Sequence, residues 1–300
     1  NVGLCGMYLN SADVCDAVRA WGKSPGSCVH SFPSCTVLNT TIMAREVAMS
    51  DRYKLLSEDD ALPHILKALD QTPQRTPEWW ARRRNRLSGS KLSQLLFIQN
   101  QDEMTVYREV VLGQRPRPPL DDRGQKNVKW GVENEPNACA TALYHLPNMR
   151  VWEVGFEQHT THNWFGSSPD GVVHWPDRGY GAMEIKCSTK LNAKGLNVPH
   201  QGVPYYYIPQ LHAEMRCLPI DPCDWTLFVS WSQTKTKMYT VQFDEEYFSI
   251  MWDCMVDFMA GDVPFELWRL KRDRLADASR EVARNALPLG TYESCVLGST

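Results

Sequence analysis

Near residue 150 the apolar period of this chain changes, and the change restricts the folds open to it. Upstream, apolar residues recur at helical intervals. Downstream come short runs of β-branched and aromatic residues divided by turn residues. Helical spacing over 45–69 is interrupted by Pro63. Thr76-Pro77-Glu78 then reads as a helix start: a hydroxyl cap, a proline in the first turn and an acid near the positive end. The helix WWARRRNRL breaks at Ser88-Gly89-Ser90, and a second short helix runs on through Leu96. A third covers 103–112 and is closed by Gly113. After a proline-rich loop over 114–122, a long helix is predicted over 126–146 with Pro136 inside it. Beyond the change of period, Val151, Val154, Phe156, Trp164 and Phe165 belong to short extended segments, followed by strands over 172–175 and 181–187. A helix over 205–217, a strand pair over 225–231 and 237–243, and a helix over 244–259 stopped by Gly261 follow. The charged, mixed-sign helix over 269–284 is expected to be solvated or at a subunit contact. There is no internal repeat. This order predicts an α/β (α+β) fold, a central mixed sheet flanked by helices.

Composition narrows the class less than order does. The net charge of −3 over 300 residues does not announce a nucleic-acid binder, although acidic metal ligands can mask local basic patches in such a balance. No apolar run is long enough to span a bilayer, and no charged region followed by an apolar stretch opens the chain, so an intracellular, non-secreted protein is expected, nuclear or cytoplasmic. The ten cysteines form no tight framework and read as reduced thiols. Cys5, Cys15, Cys28 and Cys35, with His30, are spaced more widely and less regularly than paired zinc ligands, which favours structural thiols over a zinc site. Asn39-Thr40-Thr41 matches a glycosylation acceptor, but nothing else points to export.

The chemistry centres on Ser168-Pro169-Asp170-Gly171 and the strand AMEIKC at 182–187. Side chains alternate along a strand, so Glu184 and Lys186 share one face while Ile185 turns to the other and can enter the core. Asp170 lies at a turn leading into a strand able to pair with this one, which would set it beside Glu184. Two carboxylates and the Ile185 carbonyl are hard oxygen donors suited to magnesium or manganese. Lys186 beside them can orient or deprotonate a water, or stabilise charge on a pentacovalent phosphate. Taken alone, SPDG is an ordinary turn and Glu-Ile-Lys a plausible surface strand.

Three further groups add to this core. On the long helix, Gly131, Glu135, Ala138 and Ala142 share a face, so an acid stands among small residues that allow close approach to the sheet. The alternative is an ordinary acid ahead of Pro136 near a helix start. Tyr207 and Gln210 share a face three residues apart, where a glutamine can hold a water or a phosphate oxygen; an amphipathic helix is the alternative. Arg82, Arg83, Arg84 and Arg86 crowd a short helix, with Ser88 and Ser90 following. Arginine forks and hydroxyls are phosphate-binding components, whereas an arginine run alone is more often a solvated face.

The set, from Trp79 to about Gly261, resembles the lambda-exonuclease family, also called YqaJ-like viral recombinases, within the PD-(D/E)xK nucleases. The resemblance rests on Trp79-x3-Arg83-x6-Ser90, Gly131-x3-Glu135-x2-Ala138, SPDG at 168–171, Glu184-Ile185-Lys186 and Tyr207-x2-Gln210. It implies Asp170, Glu184 and the Ile185 carbonyl as metal ligands, with Glu135 acting at the metals and Lys186 as the catalytic lysine. It also implies Gln210, beside Tyr207, as the residue that positions water, and Arg83, Ser90 and Ser168, with Ser88 alongside, as the holders of a 5′-phosphate. The implied activity is Mg2+-dependent (Mn2+ substituting) digestion of linear double-stranded DNA from the 5′ end, leaving a 3′ strand for an annealing partner, in some members from a trimeric ring. The corresponding division is an N-terminal extension, 1–70, an exonuclease domain, 71–265, and a charged helical tail, 266–300. Two residues depart from the pattern: Pro136 is expected to kink or start the helix carrying Glu135, and Pro209 restricts the backbone before Gln210. The competing readings are a related nuclease acting on single-stranded DNA, RNA or internal sites, an inactive DNA-binding relative, and a zinc-dependent regulator built on the N-terminal cysteines.

Overall fold

The computed structural model describes residues 52–55 and 63–296; Cys5, Cys15, Cys28, Cys35, His30 and Asn39 lie outside the described residues. The centre is a seven-stranded mixed sheet in the order β1-β3-β6-β7-β8-β9-β10. Its strands are β1 (Tyr53–Leu55), β3 (Arg150–Glu153), β6 (Gly171–Trp175), β7 (Gly179–Cys187), β8 (Trp225–Trp231), β9 (Lys235–Gln242) and β10 (Leu287–Glu293). The β1–β3 and β7–β8 pairs are parallel and the others antiparallel. A second sheet of three short strands, in the order β2-β5-β4, comprises β2 (Leu87–Ser88), β4 (Glu157–Gln158) and β5 (Phe165–Ser167). The helices are α1 (Pro77–Arg83), α2 (Gly89–Leu95), α3 (Gln101–Val111), α4 (Asp122–His145), α5 (Ile208–Cys217), α6 (Glu245–Ala260) and α7 (Phe265–Asn285). A mixed sheet flanked by helices is therefore the architecture, as the order of elements implied.

Each face of the large sheet carries its own core. On one side α4 lays Ala138, Ala142 and Leu143 against Met183, Ile185, Leu227, Val229 and Trp231. On the other, α5, α6 and α7 enclose Phe228, Tyr239 and Val241 with Leu211, Met251, Phe258 and Trp268. Every residue of β8 is buried, as expected for a strand covered on both faces. Local capping chemistry sets several ends. Thr76 accepts from the Trp79 N–H, Asn100 from Glu103, Asp121 from Gly124 and Asp244 from Tyr247. Gly113 and Gly261, both at positive φ, close α3 and α6.

Four expectations need correction. The helical spacing over 45–69 gives, where described, strand β1 and a 3-10 turn at His64–Ala68 behind Pro63; pairing with β3 decides the conformation of Tyr53–Leu55, not local period. The helix after Thr76 stops at Arg83, because Arg84 is extended and Asn85 takes φ 58°, and Leu87–Ser88 becomes a strand paired with β5. Pro136 does not start the helix that carries Glu135; α4 runs through it from Asp122 to His145. The C-terminal helix is not a solvated tail. Trp268, Arg272, Leu275, Ser279 and Val282, at alternating spacings of four and three, form a buried stripe, and the chain continues into β10.

Candidate active site

Strand β7 builds the site by alternation. Met183 and Ile185 face α4 and its core, while Glu184 and Lys186 face the opposite way. The antiparallel register Gly171↔Met183 brings the SPDG turn alongside, and Asp170 Oδ2 accepts a 2.7 Å hydrogen bond from the Ile185 N–H. Helix α5 crosses the Glu184 side. Its Gln210 Nε2 donates to Glu184 Oε1 at 2.6 Å, and Lys186 Nζ ion-pairs with the same oxygen. The Lys186 ammonium lies 4.9 Å from the Tyr207 ring centroid. Pro209 stands in the first turn of α5, where no N–H is required of it, so it begins the helix without disturbing Gln210. Asp170, Glu184, Lys186, Tyr207 and Gln210 thus form one cluster. Glu135 lines the same open cavity, of about 750 Å³, and ion-pairs with Arg75. Gly131 on α4 meets nothing within 4 Å, so its lack of a side chain leaves space in that cavity and does not serve close packing. A larger cavity, of about 960 Å³, lies elsewhere between Tyr144, Trp152 and His174 and, among the described residues, is lined by no carboxylate.

Electrostatics follow from this crowding. Burial, then the neighbouring Glu184 and Glu135 charges, push the Asp170 carboxyl well above the usual carboxylate range, against the opposing effects of Lys186 and the Ile185 N–H. Burial alone would lower Lys186. The charge of Glu184, with Tyr207 and Asp170, outweighs it and holds the amine protonated, which favours charge stabilisation over proton abstraction in this arrangement. Among the described residues no three carboxylate, imidazole or thiol groups converge at metal-ligating geometry. Cations, Lys186 and Arg75, stand against Glu184 and Glu135 instead. The donor chemistry nevertheless fits a hard divalent ion. Glu184 Oε2 is buried without a partner, and only one oxygen of Asp170 is engaged, so two carboxylate oxygens are left beside the Ile185 main chain.

The second half of the site is an arginine–serine cluster around Arg83. Arg83 Nη1 donates to Ser168 Oγ at 3.0 Å, and Nη2 to Ser88 Oγ at 3.1 Å and Ser90 Oγ at 2.9 Å. Its guanidinium carbon sits 4.3 Å from the Trp79 ring centroid, and Trp79 Nε1 also donates to Ser168 Oγ. Burial lowers Arg83 to about 10, with Glu184 opposing and Arg117 reinforcing the fall. Lys91 is lowered to about 8 by burial and by the same two arginines, Arg83 and Arg117. The rest of the arginine run does other things: Arg82 pairs loosely with Asp70, and Arg86 holds the Asn163 carbonyl and Gln158.

Sequence reasoning missed Arg75, Lys91, Arg117 and Glu214. Glu214 accepts from Gln210 Nε2 at 2.8 Å and is fully buried. Its signal was available: one acid inside a helix, Ile208–Cys217, that is otherwise buried nearly all round. Arg75 carries no such signal, because it lies in a loop at φ 66°, and only the tertiary fold turns it toward Glu135.

Fold and site define the class: a mixed α/β protein with an acid–lysine cluster at its central sheet and an arginine–serine cluster alongside. The family is narrower. Residues 78–219 match the YqaJ-like viral recombinase domain. The match agrees with the resemblance read from the motifs but ends before β8. Among solved structures, the chain is similar to the alkaline exonuclease LHK-Exo from Laribacter hongkongensis, at 20% identity, 69% coverage of this chain, 100% of that one and a TM-score of 0.46. It is also similar to LHK-Exo in complex with dAMP, at 21% identity, the same coverages and a TM-score of 0.44. No curated protein matches.

Proposed function

We propose that this chain is a divalent-metal-dependent DNA exonuclease that digests linear duplex DNA from a 5′-phosphorylated end and leaves a 3′ single strand. One observation carries the reading. Ser168, bonded to Arg83, and Asp170, bonded to the Ile185 N–H, belong to one turn two residues apart. Two residues span at most ~7 Å, so an anchored terminal phosphate and the acid cluster act on neighbouring positions of one strand. Asp170, Glu184 and the Ile185 carbonyl would hold Mg2+, with Mn2+ able to replace it, and Glu135 would join them on release from Arg75. When bound, such an ion neutralises phosphate charge and acidifies water. The chain's own groups do the rest. Arg83 and the serines Ser88, Ser90 and Ser168 grip the terminal phosphate, Gln210 orients the attacking water, and the Lys186 ammonium meets the charge that builds on the phosphate. On this reading the product strand passes to an annealing protein, and a trimeric ring is the assembly that the family resemblance implies.

The test is digestion of linear duplex DNA with a 5′-phosphate, the same DNA with a 5′-hydroxyl, and circular DNA, each with Mg2+ and with chelator. Rapid loss of the phosphorylated linear substrate, slow loss of the hydroxyl form, an intact circle and no activity in chelator are expected. Full activity in chelator, or equal attack on the circle, would overturn the reading. Asp170→Asn and Lys186→Ala are expected to lose turnover by a factor of roughly a hundred or more while remaining folded.

A further inference from the structure

One acid in the cluster has no part in the mechanism above. Glu214 lies on α5 one turn after Gln210 and is fully buried; its Oε1 accepts from Gln210 Nε2, and its carboxyl shares a side-chain hydrogen bond with Glu184. A carboxyl sealed from water and crowded against a second acid is costly to keep, and an apolar side chain would fill the same place more stably. Its contact explains its presence. The Gln210 amide nitrogen faces two carboxylate oxygens at once, Glu184 Oε1 at 2.6 Å and Glu214 Oε1 at 2.8 Å, so both amide hydrogens are spent on acids. Flipping the amide would set its oxygen against Glu184 Oε1 and Glu214 Oε1 together, while the proton that the two acids share is already committed between them. Gln210 Oε1 takes no hydrogen from the described residues and is not among the sealed, unpartnered atoms, so it is the end of the amide left to water. Glu184 alone holds the orientation weakly, because Lys186 shares its Oε1.

We propose that Glu214 is a positioning residue that locks the orientation of the Gln210 amide, so that Gln210 Oε1 is always the face offered to the attacking water. The inference rests on the nuclease reading of this site. It implies that the chain keeps a buried acid at the expense of stability in order to keep a water in line.

The test compares Glu214→Met, Glu214→Gln, Gln210→Ala and the double variant Glu214→Met/Gln210→Ala, measuring kcat and KM on 5′-phosphorylated linear duplex, and Tm. Glu214→Met is expected to lower kcat about tenfold, to leave KM for DNA nearly unchanged and to raise Tm. Glu214→Gln, whose amide oxygen can still accept from Gln210, is expected to recover most of kcat. In the Gln210→Ala background, Glu214→Met is expected to add nothing. An unchanged kcat in Glu214→Met, a further loss of the same size in the double variant, or a fall in Tm together with kcat would overturn the proposal. Lys186→Ala in the same assay separates this from the nuclease reading. If wild type and Lys186→Ala cleave alike, that reading fails; if only Lys186→Ala is dead, the Glu214 outcomes bear on Glu214 alone.

Discussion

Glu157, on β4, is 6% exposed, and its Oε1 accepts the Asp70 N–H at 2.6 Å. Burial pushes its carboxyl from 4.5 up to about 7; the Asp70 N–H and Arg82 oppose the rise and the Asp70 charge adds to it. With the folded value above the unfolded one, the contribution to stability is whole below about pH 4.5. It drains away as pH rises, because the unfolded chain releases this proton while the folded chain holds it, and it is gone above about pH 7. The deficit at pH 8 is at most about 3 kcal/mol. Glu157→Gln keeps an acceptor for the Asp70 N–H and removes the titration, so it is expected to raise Tm by several degrees at pH 8 and hardly at all at pH 4. Equal shifts at both pH values would show that the gain is not electrostatic. Arg83 allows a test of the proposed phosphate grip at the same scale. Its fork reaches three hydroxyls, and a lysine ammonium cannot satisfy that spread. Arg83→Lys is therefore expected to cut the preference for 5′-phosphorylated over 5′-hydroxyl ends about tenfold, with a melting temperature close to wild type. A preserved ratio would show that Arg83 does not read the terminal phosphate. Residues of this kind were legible where the signal is local. Asp170, Glu184 and Lys186 stand within a turn and one strand, whose alternation fixes their face, whereas the Arg75–Glu135 pair joins residues 60 apart and has no local signature.

Strand β7 shows what an element adds. Its pairing with β6 and β8 sets the register that brings Asp170 to Glu184, and Gly181 is what lets β8 lie so close. A Cβ at Gly181 would stand 2.5 Å from the Trp225 ring and 2.7 Å from the Trp225 carbonyl, part of the adjacent strand's backbone. Neither can give way, since Trp225 is buried and its neighbour Thr226 pairs with Ala182. Gly181→Ala is expected to cost about 1–3 kcal/mol, as overpacked cores do, read as a lower urea midpoint with the slope unchanged. A midpoint within error of wild type would show that β7 and β8 can separate locally. The elements hidden in the sequence share a physical reason. Strand β10 contains Pro288 and Gly290, which argue against a strand; it survives as an edge strand with a register shift between those two residues. Strands β1 and β2 are two or three residues long and owe their conformation to partners far away in sequence, while the two-residue β4 is fixed only by the short hairpin that pairs it with β5. The long helices and the β6–β9 strands, by contrast, carry enough period and capping chemistry to be read directly.

At the scale of the whole molecule, the C-terminal segment decides where the folding unit ends. The family match stops at residue 219, and a boundary near 265 followed from reading the last helix as a charged appendage. The packing argues otherwise. Trp268, Leu275 and Val282 enter the same core as Leu211 of α5 and Met251 of α6, and Trp268 is fully buried. The buried Tyr247 hydroxyl has Ser279 Oγ as its partner at 2.9 Å, and Arg272 donates to the Ile98 carbonyl, tying α7 to the segment that follows α2. Strand β10 covers the edge of β9, whose N–H and C=O groups would otherwise be open to another chain. A chain ending at Pro264 would lose three large apolar side chains from one core, strand a buried hydroxyl and bare a sheet edge. The apolar losses alone amount to about 2–5 kcal/mol for each large side chain, which summed approaches the whole stability of an ordinary domain. The loss would also reach the active site, because α5, which carries Gln210, packs against α7. The truncated chain is therefore expected to aggregate or to melt without a cooperative transition, with DNA digestion lost in parallel. Size-exclusion chromatography and thermal denaturation of chains ending at 264 and at 296 would decide. A soluble, cooperatively melting and active product ending at 264 would mean that α7 and β10 are an appendage after all, and that the core closes without them.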